Sequence, residues 1–212
     1  MNKYFVRFYT PPADFSLLGK IILLSPKNLK DFDKSCVFLG QSHAKQYPRQ
    51  YLSGIYFENN LTRPQKSSKS KSQIYDLKGE IKPASQCNNW IFALTKKWLD
   101  MYFGGEIPHF MPPLALQGSS FGLLVWQELL KIRYGSTTTY SAMATKIAQQ
   151  KGLAKMSAQA IGGALKNNPI SIIIPCHRVI GTNGSLVGYA GGVEKKKILL
   201  GLESHTTTLK SL

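Results

Sequence analysis

Short apolar runs, broken by proline and charged turns, fill the first sixty residues. Tyr4–Tyr9, Lys20–Leu24 and Cys36–Leu39 each read as a strand, separated by Pro11-Pro12, Pro26 and Asp31–Lys34, and Tyr51–Phe57 offers a fourth. The period then lengthens. Between Asn88 and Phe103, Trp90, Leu94 and Trp98 recur at helical spacing, with Ile91, Leu99 and Tyr102 widening the stripe. This predicts a helix capped by Asn88 or Asn89 and ended by Gly104-Gly105. The proline-rich stretch Ile107–Leu116 is expected to be an irregular linker. Beyond it, Ser119 or Ser120 can cap a helix over Phe121–Tyr134, Thr139 one over Tyr140–Gln149, and Ser157 one over Ala158–Lys166. The last two, joined by about eight residues including Gly152, resemble a helix-turn-helix. Four isoleucines within Ile170–Ile174 predict a buried strand that Pro175 must end.

The expected fold is therefore α/β (α+β). A small strand-rich N-terminal unit with one helix (1–106) is followed by a linker (107–116). A mainly helical unit (117–205) carries the helix pair, and a short tail (206–212) closes the chain. With 43% hydrophobic and 11% aromatic residues, a chain of 212 has ample material for a core, which excludes disorder as its main state.

Charge adds a partner to this picture. Lys and Arg total 27 against 11 Asp and Glu, a net +16, and from Leu114 onward 11 bases face only Glu128, Glu194 and Glu203. Such an excess attracts polyanions such as nucleic acid. The run Arg63–Ser72 holds four bases and no acid, and suits either a solvated loop or a supplementary phosphate-binding arm. Three widely spaced cysteines, Cys36, Cys87 and Cys176, make a disulfide scaffold unexpected and favour a reducing compartment. The first residues lack a signal-peptide core and no run is long enough to cross a bilayer, so a cytoplasmic location without membrane partners is expected. Cysteine and histidine spacing offers no metal site.

Two segments carry the candidate chemistry. The second helix of the pair reads Ala158-Gln159-Ala160-Ile161-Gly162-Gly163-Ala164-Leu165, too smooth for reading base edges in a major groove. Two internal glycines cost about 1 kcal/mol each relative to alanine. Close packing inside the protein, or close approach to a narrow nucleic-acid groove, would offset that. Immediately after the isoleucine run comes Pro175-Cys176-His177-Arg178-Val179, a thiol beside an imidazole and a guanidinium. Such neighbours can make a cysteine nucleophilic.

Pro175–Val179, with Asn168-Pro169 upstream, resembles the signature of the O6-alkylguanine-DNA alkyltransferases. The likeness continues through Gly188-Tyr189-Ala190-Gly191-Gly192, Lys196, Leu199-Leu200 and Glu203, and upstream through Leu116-Gln117-Gly118, Phe121, Trp126 and Thr139-Tyr140. It is dense from Pro113 to Glu203 and holds only in outline before that. The resemblance implies a repair protein, acting as a monomer without cofactor on double-stranded DNA that carries O6-alkylguanine. Its cysteine would take the alkyl group irreversibly, so that each molecule acts once, and O4-methylthymine would be a further substrate.

By the same resemblance Cys176 is the acceptor and His177 takes its proton through a water. Glu203 orients His177, Tyr140 assists the leaving guanine, and Asn168 holds the turn that places Cys176. Pro175, Val179, Tyr189 and Ala190 would line the substrate pocket. Thr139, Gln159, Ala160, Gly162, Gly163 and Arg178 would meet DNA, with the second helix in the minor groove and the nucleotide flipped out. Gln159 stands where the best-known members carry an arginine. The zinc ligands of some members have no counterpart, so no metal is expected. Rival readings are a DNA-binding regulator built on the helix pair, an alkylguanine sensor without chemistry, and a Cys–His hydrolase. The smooth helix argues against the first, Cys176 against the second, and the +16 charge against the third.

Overall fold

The computed structural model describes residues 4–18, 21–26, 37–39, 51–57 and 90–209. Cys36, Cys87, the caps Asn88 and Asn89, and the basic run Arg63–Ser72 lie outside the described residues. Strand β1 (Tyr4–Tyr9) leads through a 3-10 turn (Ala13–Leu18) into β2 (Ile21–Pro26), and β3 (Val37–Leu39) and β4 (Gly54–Phe57) follow. β1, β2 and β4 form an antiparallel sheet with β2 in the centre, Arg7 opposite Leu23 and Leu23 opposite Ile55. Ile21, Leu23 and Ser25 on β2 are buried, the period-two signature of a strand with one face on the core.

Helix α1 (Trp90–Phe103) buries Ile91, Phe92, Thr95, Trp98, Leu99, Tyr102 and Phe103, a stripe along one face. Phe103, in its last turn, stacks on Tyr9 of β1 at 6.0 Å. Gly105 at φ 77° then turns the chain where an L side chain would be strained.

The expected linker is regular in part. Leu114–Leu116 forms β5, antiparallel to β3, and all three residues are buried. Pro112 and Pro113 lack N–H groups, but Pro113 still accepts from Leu52 at 2.8 Å and Ala115 donates back to Leu52 at 2.9 Å. The prolines thus end just where pairing begins.

Helix α2 (Ser120–Leu129) starts at the N-cap Ser119, which accepts the Gly122 N–H at 3.1 Å. It stops at Leu129 instead of reaching Tyr134. Lys131 and Ile132 close tighter i→i−3 bonds to Glu128 and Leu129, and the Ile132 carbonyl accepts from Arg178 Nη1 at 2.7 Å. A side chain distant in sequence thus captures backbone that helix continuation would need.

Next come β6 (Thr138–Thr139), α3 (Tyr140–Gln150) and α4 (Ala158–Lys166), with β7 (Val179–Ile180) lying parallel to β6 and α5 (Val193–Leu209) closing the fold. The caps stand where the sequence puts them: Thr139 accepts from Ala142 and Ser157 from Ala160, each at 3.1 Å. α5 continues past residue 205, so the first residues of the expected tail are helical. No helix among the described residues is long and apolar enough to cross a membrane.

The helix pair is held from behind by α2. Trp126 Nε1 donates to the Ala164 carbonyl of α4 at 2.9 Å. Oε1 of the buried Glu128 carboxylate accepts from Lys131, and from Gln150 of α3 at 2.7 Å, and Oε2 is ion-paired with Lys146 of α3 at 2.7 Å. Both lysines are more than half exposed, so these ion pairs orient the helices more than they stabilise them. Gly118 lets the Trp126 ring in, since a Cβ there would lie 2.7 Å from Cη2. Gly118→Ala is therefore expected to cost about 1–3 kcal/mol, measured as a lower urea midpoint at unchanged m-value. An unmoved midpoint would show that the loop yields without strain.

Candidate active site

The isoleucine run is buried as expected, but it is a tight turn and not a strand. Ile174 N–H closes back on the Ile170 carbonyl at 3.0 Å, and Ile172 sits at φ 72°, a costly conformation for a β-branched residue. Asn168 holds it there. Its Oδ1 accepts from Ile170 N–H at 3.0 Å and its Nδ2 donates to the Ile174 carbonyl at 2.9 Å. The edge of β4 supports the outer side, with Ile55 N–H on the Pro169 carbonyl at 2.9 Å and Ser171 N–H on the Ile55 carbonyl at 3.2 Å. Apolar content reports burial. It does not distinguish a strand from a turn whose polar groups are satisfied by an asparagine.

Pro175, buried, breaks direction, and Cys176–Arg178 form one 3-10 turn. Cys176 is 2% exposed, and Asn168 Nδ2 reaches its Sγ at 3.1 Å, so one asparagine ties the strained turn to the thiol. Burial pushes the Cys176 thiol up to about 11, against the opposing pull of Asn168, of the Lys196 ammonium and of nearby backbone N–H groups. At neutral pH the resting group is therefore a protonated thiol that needs a base.

That base candidate is the next residue. His177 is fully buried, and its Nε2 donates to Glu203 Oε1 at 2.8 Å, an assignment that follows because an ionised carboxylate can only accept. Nδ1 is then the unprotonated nitrogen, and it is buried with no protein partner among the described residues. Burial lowers the proton affinity of the His177 ring and Glu203 raises it, with a net lowering.

Glu203, from α5, is 1% exposed and densely satisfied. Besides His177 it accepts from Tyr102 OH at 2.8 Å, Arg178 Nε and Nη2 at 2.9 Å each, and Gly135 N–H at 3.1 Å. These donors overcome the cost of burial and hold the carboxyl at about 2. Arg178 must be reassigned. Its side chain is buried, paired with Glu203 and lies 5.6 Å from the Tyr134 ring centroid, so it braces the site from inside and does not face a groove.

The residues expected to line the pocket and to meet a groove lie beside this network. Val179 is buried; its N–H donates to the Cys176 carbonyl and its own carbonyl accepts from Lys196 Nζ at 2.7 Å. Lys196 also donates to the Val187 carbonyl at 2.8 Å, and Tyr140 OH donates to the Val187 and Gly188 carbonyls at 3.0 and 2.9 Å. The Tyr189 ring is edge-on to His177 at 6.5 Å, and Ala190 is exposed beside it. On α4, Gln159 and Gly163 are exposed, while Ala160 and Gly162 are half-buried. Among the described residues, a Cβ on Gly163 would meet nothing within 4 Å, and one on Gly162 would meet only Tyr140 Cε1, at 3.9 Å. Internal packing therefore does not require the two glycines. Thr139 is half-buried at the N-cap of α3. A separate cleft of about 360 Å³ between α3 and the segment entering α4, lined by Ser141, Thr145, Gln149 and Met156 among others, contains none of the reacting groups.

Residues 120–205 match the family model of the 6-O-methylguanine DNA methyltransferase DNA-binding domain. The chain is 49% identical over 117 residues to the methylated-DNA--protein-cysteine methyltransferase of Mycobacterium leprae (strain TN), covering 55% of this chain and 68% of that one. It is 40% identical over 142 residues to the Methanosarcina mazei protein of the same name, covering 65% and 86%. The chain belongs to the methylated-DNA--protein-cysteine methyltransferase family. The fold agrees: Mycobacterium tuberculosis O6-methylguanine methyltransferase superposes with TM-score 0.62 at 28% identity, over 97% of this chain and 98% of that one. Mycobacterium tuberculosis OGT in complex with DNA superposes equally well, at TM-score 0.62 and 28% identity, over 95% and 93%.

Within this methyltransferase the structure adds groups that the sequence reading left without a role. Tyr102 comes from α1, more than seventy residues before His177, and its signal was that of any core aromatic. Lys196 belonged to the resemblance, but only the fold shows its ammonium bridging Val179 and Val187.

Glu203 also sets an acid limit. Its carboxyl is held at about 2 in the fold against an ordinary 4.5, so its stabilising contribution is complete above about pH 4.5 and is lost as pH falls toward 2. The shift corresponds to at most about 3 kcal/mol. Urea midpoints should fall between about pH 5 and pH 2, and Glu203→Gln should shrink that fall while lowering stability at neutral pH. An undiminished fall in Glu203→Gln would assign the acid sensitivity to Glu128, whose carboxyl is also held at about 2.

Proposed function

We propose that this protein repairs O6-methylguanine in double-stranded DNA by taking the methyl group onto Cys176, each molecule acting once. The observation that carries the reading is the pairing of a buried Cys176 thiol with a His177 whose Nε2–H is spent on Glu203 and whose buried Nδ1 has no partner among the described residues. The thiol proton passes through a water to Nδ1, and Glu203 stabilises the imidazolium. Sγ attacks the methyl carbon in line, the S–C bond forms as the C–O6 bond breaks, and guanine leaves with its electron pair. Tyr140 OH, now on the Val187 and Gly188 carbonyls, turns to hydrogen-bond the leaving base. Asn168 keeps Sγ at the end of its strained turn, so little reorganisation is needed at reaction. O4-methylthymine, which offers the same alkyl–oxygen bond, is a further substrate.

The lesion must leave the stack to reach this site. α4 enters the minor groove with Ala160, Gly162 and Gly163 against the sugar edges, Thr139 contacts the backbone, and Gln159 fills the gap left by the flipped nucleotide. Tyr140 sits next to Gly162 and so joins groove to pocket. Tyr189 and Ala190, with Pro175 and Val179 behind them, form the pocket wall. A reaction that relies on a free thiol suits a reducing cytoplasm, and the protein acts as a monomer.

Incubation with duplex DNA containing O6-methylguanine should add one methylene to the intact mass, located at Cys176, in proportion to lesion lost. Cys176→Ala should gain nothing, and repeated turnover or an adduct elsewhere would overturn the reading. Gly163→Ala should leave the fold as stable or stabilise it by up to about 1 kcal/mol. The same change should weaken duplex binding and slow duplex repair, yet leave reaction with free O6-benzylguanine unaltered. Equal slowing of both substrates would remove Gly163 from the groove face.

A further inference from the structure

Tyr102 is fully buried near the end of α1, and the reaction as described does not use it. Its ring is fixed on several sides: Trp98 stacks on it at 5.3 Å, and Phe103 and Tyr134 meet it edge-on at 5.3 and 5.8 Å. Packing alone would be served by phenylalanine. The hydroxyl, however, donates to Glu203 Oε1 at 2.8 Å, the same oxygen that His177 Nε2 engages at 2.8 Å, and lies 3.5 Å from that nitrogen. We propose that Tyr102 is a positioning residue for methyl transfer, whose hydroxyl shares Glu203 Oε1 with His177 and thereby limits how strongly that carboxylate retains a proton on the imidazole. This deepens, and rests on, the acceptor reading of Cys176.

The physical reason is competition for one charge. His177 can take the thiol proton only while Nδ1 is free, so an imidazole too tightly bound to a naked carboxylate would already be protonated at mildly acidic pH. A hydrogen bond donated to Oε1 draws charge away from the imidazole. Other charged or titratable groups also face the pair: Cys176 and Arg178 on the same turn, Tyr134 beyond α2, Tyr189 edge-on to the ring, and Lys196 from α5. Arg178 and Lys196 disfavour the imidazolium, while Glu203 favours it. Arg178 Nη2 also donates to Oε1, at 2.9 Å, and the Tyr102 hydroxyl engages that oxygen while lying 3.5 Å from His177 Nε2 as well. The arrangement also brings the first half of the chain, through α1, to the reacting turn.

The test is the rate of Cys176 alkylation by free O6-benzylguanine against pH, followed by intact mass, which separates the thiol chemistry from DNA binding. Wild type must become alkylated at Cys176; if it does not, the acceptor reading itself fails. In Tyr102→Phe the acid limb should move up by about half a unit to one unit. The rate should then fall roughly two- to fivefold at the wild-type midpoint, approaching about three- to tenfold well below it, and recover at alkaline pH. Site-specific 3-fluorotyrosine at position 102 keeps the packing and donates more strongly, so it should move the limb the other way; it also serves if Tyr102→Phe folds poorly. A limb that stays put in the variants, with a rate lowered equally at every pH, would reduce Tyr102 to core packing and overturn the proposal.

Discussion

The Glu203 carboxylate lies almost wholly out of water and draws donors from α1, from the segment after α2 and from the Cys176 turn. An ionised carboxylate in that setting is tolerable only with such company, since taking a charge out of water costs several kcal/mol that good geometry must return. The same constraint orders its surroundings. Arg178 is held by Glu203 and in turn captures the Ile132 carbonyl, which ends α2; Gly135 is drawn in through its N–H. Tyr102 brings α1 to the same point. Removing one donor therefore changes more than one bond, because the charge stays behind with fewer partners.

The thiol is managed in the opposite sense. Burial keeps Cys176 protonated at rest, and in the proposed reading this protects an acceptor that reacts once from adventitious oxidation and alkylation. In that reading, reactivity depends on a buried base whose proton affinity burial lowers. His177 is set up by a tautomer choice that Glu203 makes for it, and Asn168 supplies a hydrogen bond to sulfur while holding Ile172 at positive φ. The strain in that turn is sustained by the bonds to Ile55 of β4, so the N-terminal sheet contributes to the placement of Cys176.

In the proposed reading, groove contact and chemistry occupy neighbouring but separate surfaces. α4 is fastened from behind by Trp126 and presents small residues outward, while the Cys176 turn lies inside, beyond Tyr140. In the proposed reading, binding depends on a smooth surface and on the net +16 charge, and transfer depends on a few buried polar groups. Substitutions on the two surfaces should therefore separate in their effects.

The linear sequence already determined the helix starts and the contiguous reactive motif, because both rest on local rules. Ser119, Thr139 and Ser157 cap helices through bonds within three residues, and Pro175-Cys176-His177-Arg178 needs no tertiary contact to be recognised. The glycines of α4 were legible as an anomaly for the same reason. Other features were decided only by the fold, since they depend on partners brought from afar. Burial of Ile170–Ile174 followed from composition, yet its turn came from Asn168 and the edge of β4. The prolines before Leu114 concealed a strand that exists only because β3 lies beside it. Arg178 looked like a groove-facing cation until α5 brought Glu203 against it, and Tyr102 looked like any core aromatic until its hydroxyl met the same carboxylate. Local propensity acts over a few residues, whereas a buried charge recruits donors wherever the chain returns to it, and that choice is made only in three dimensions.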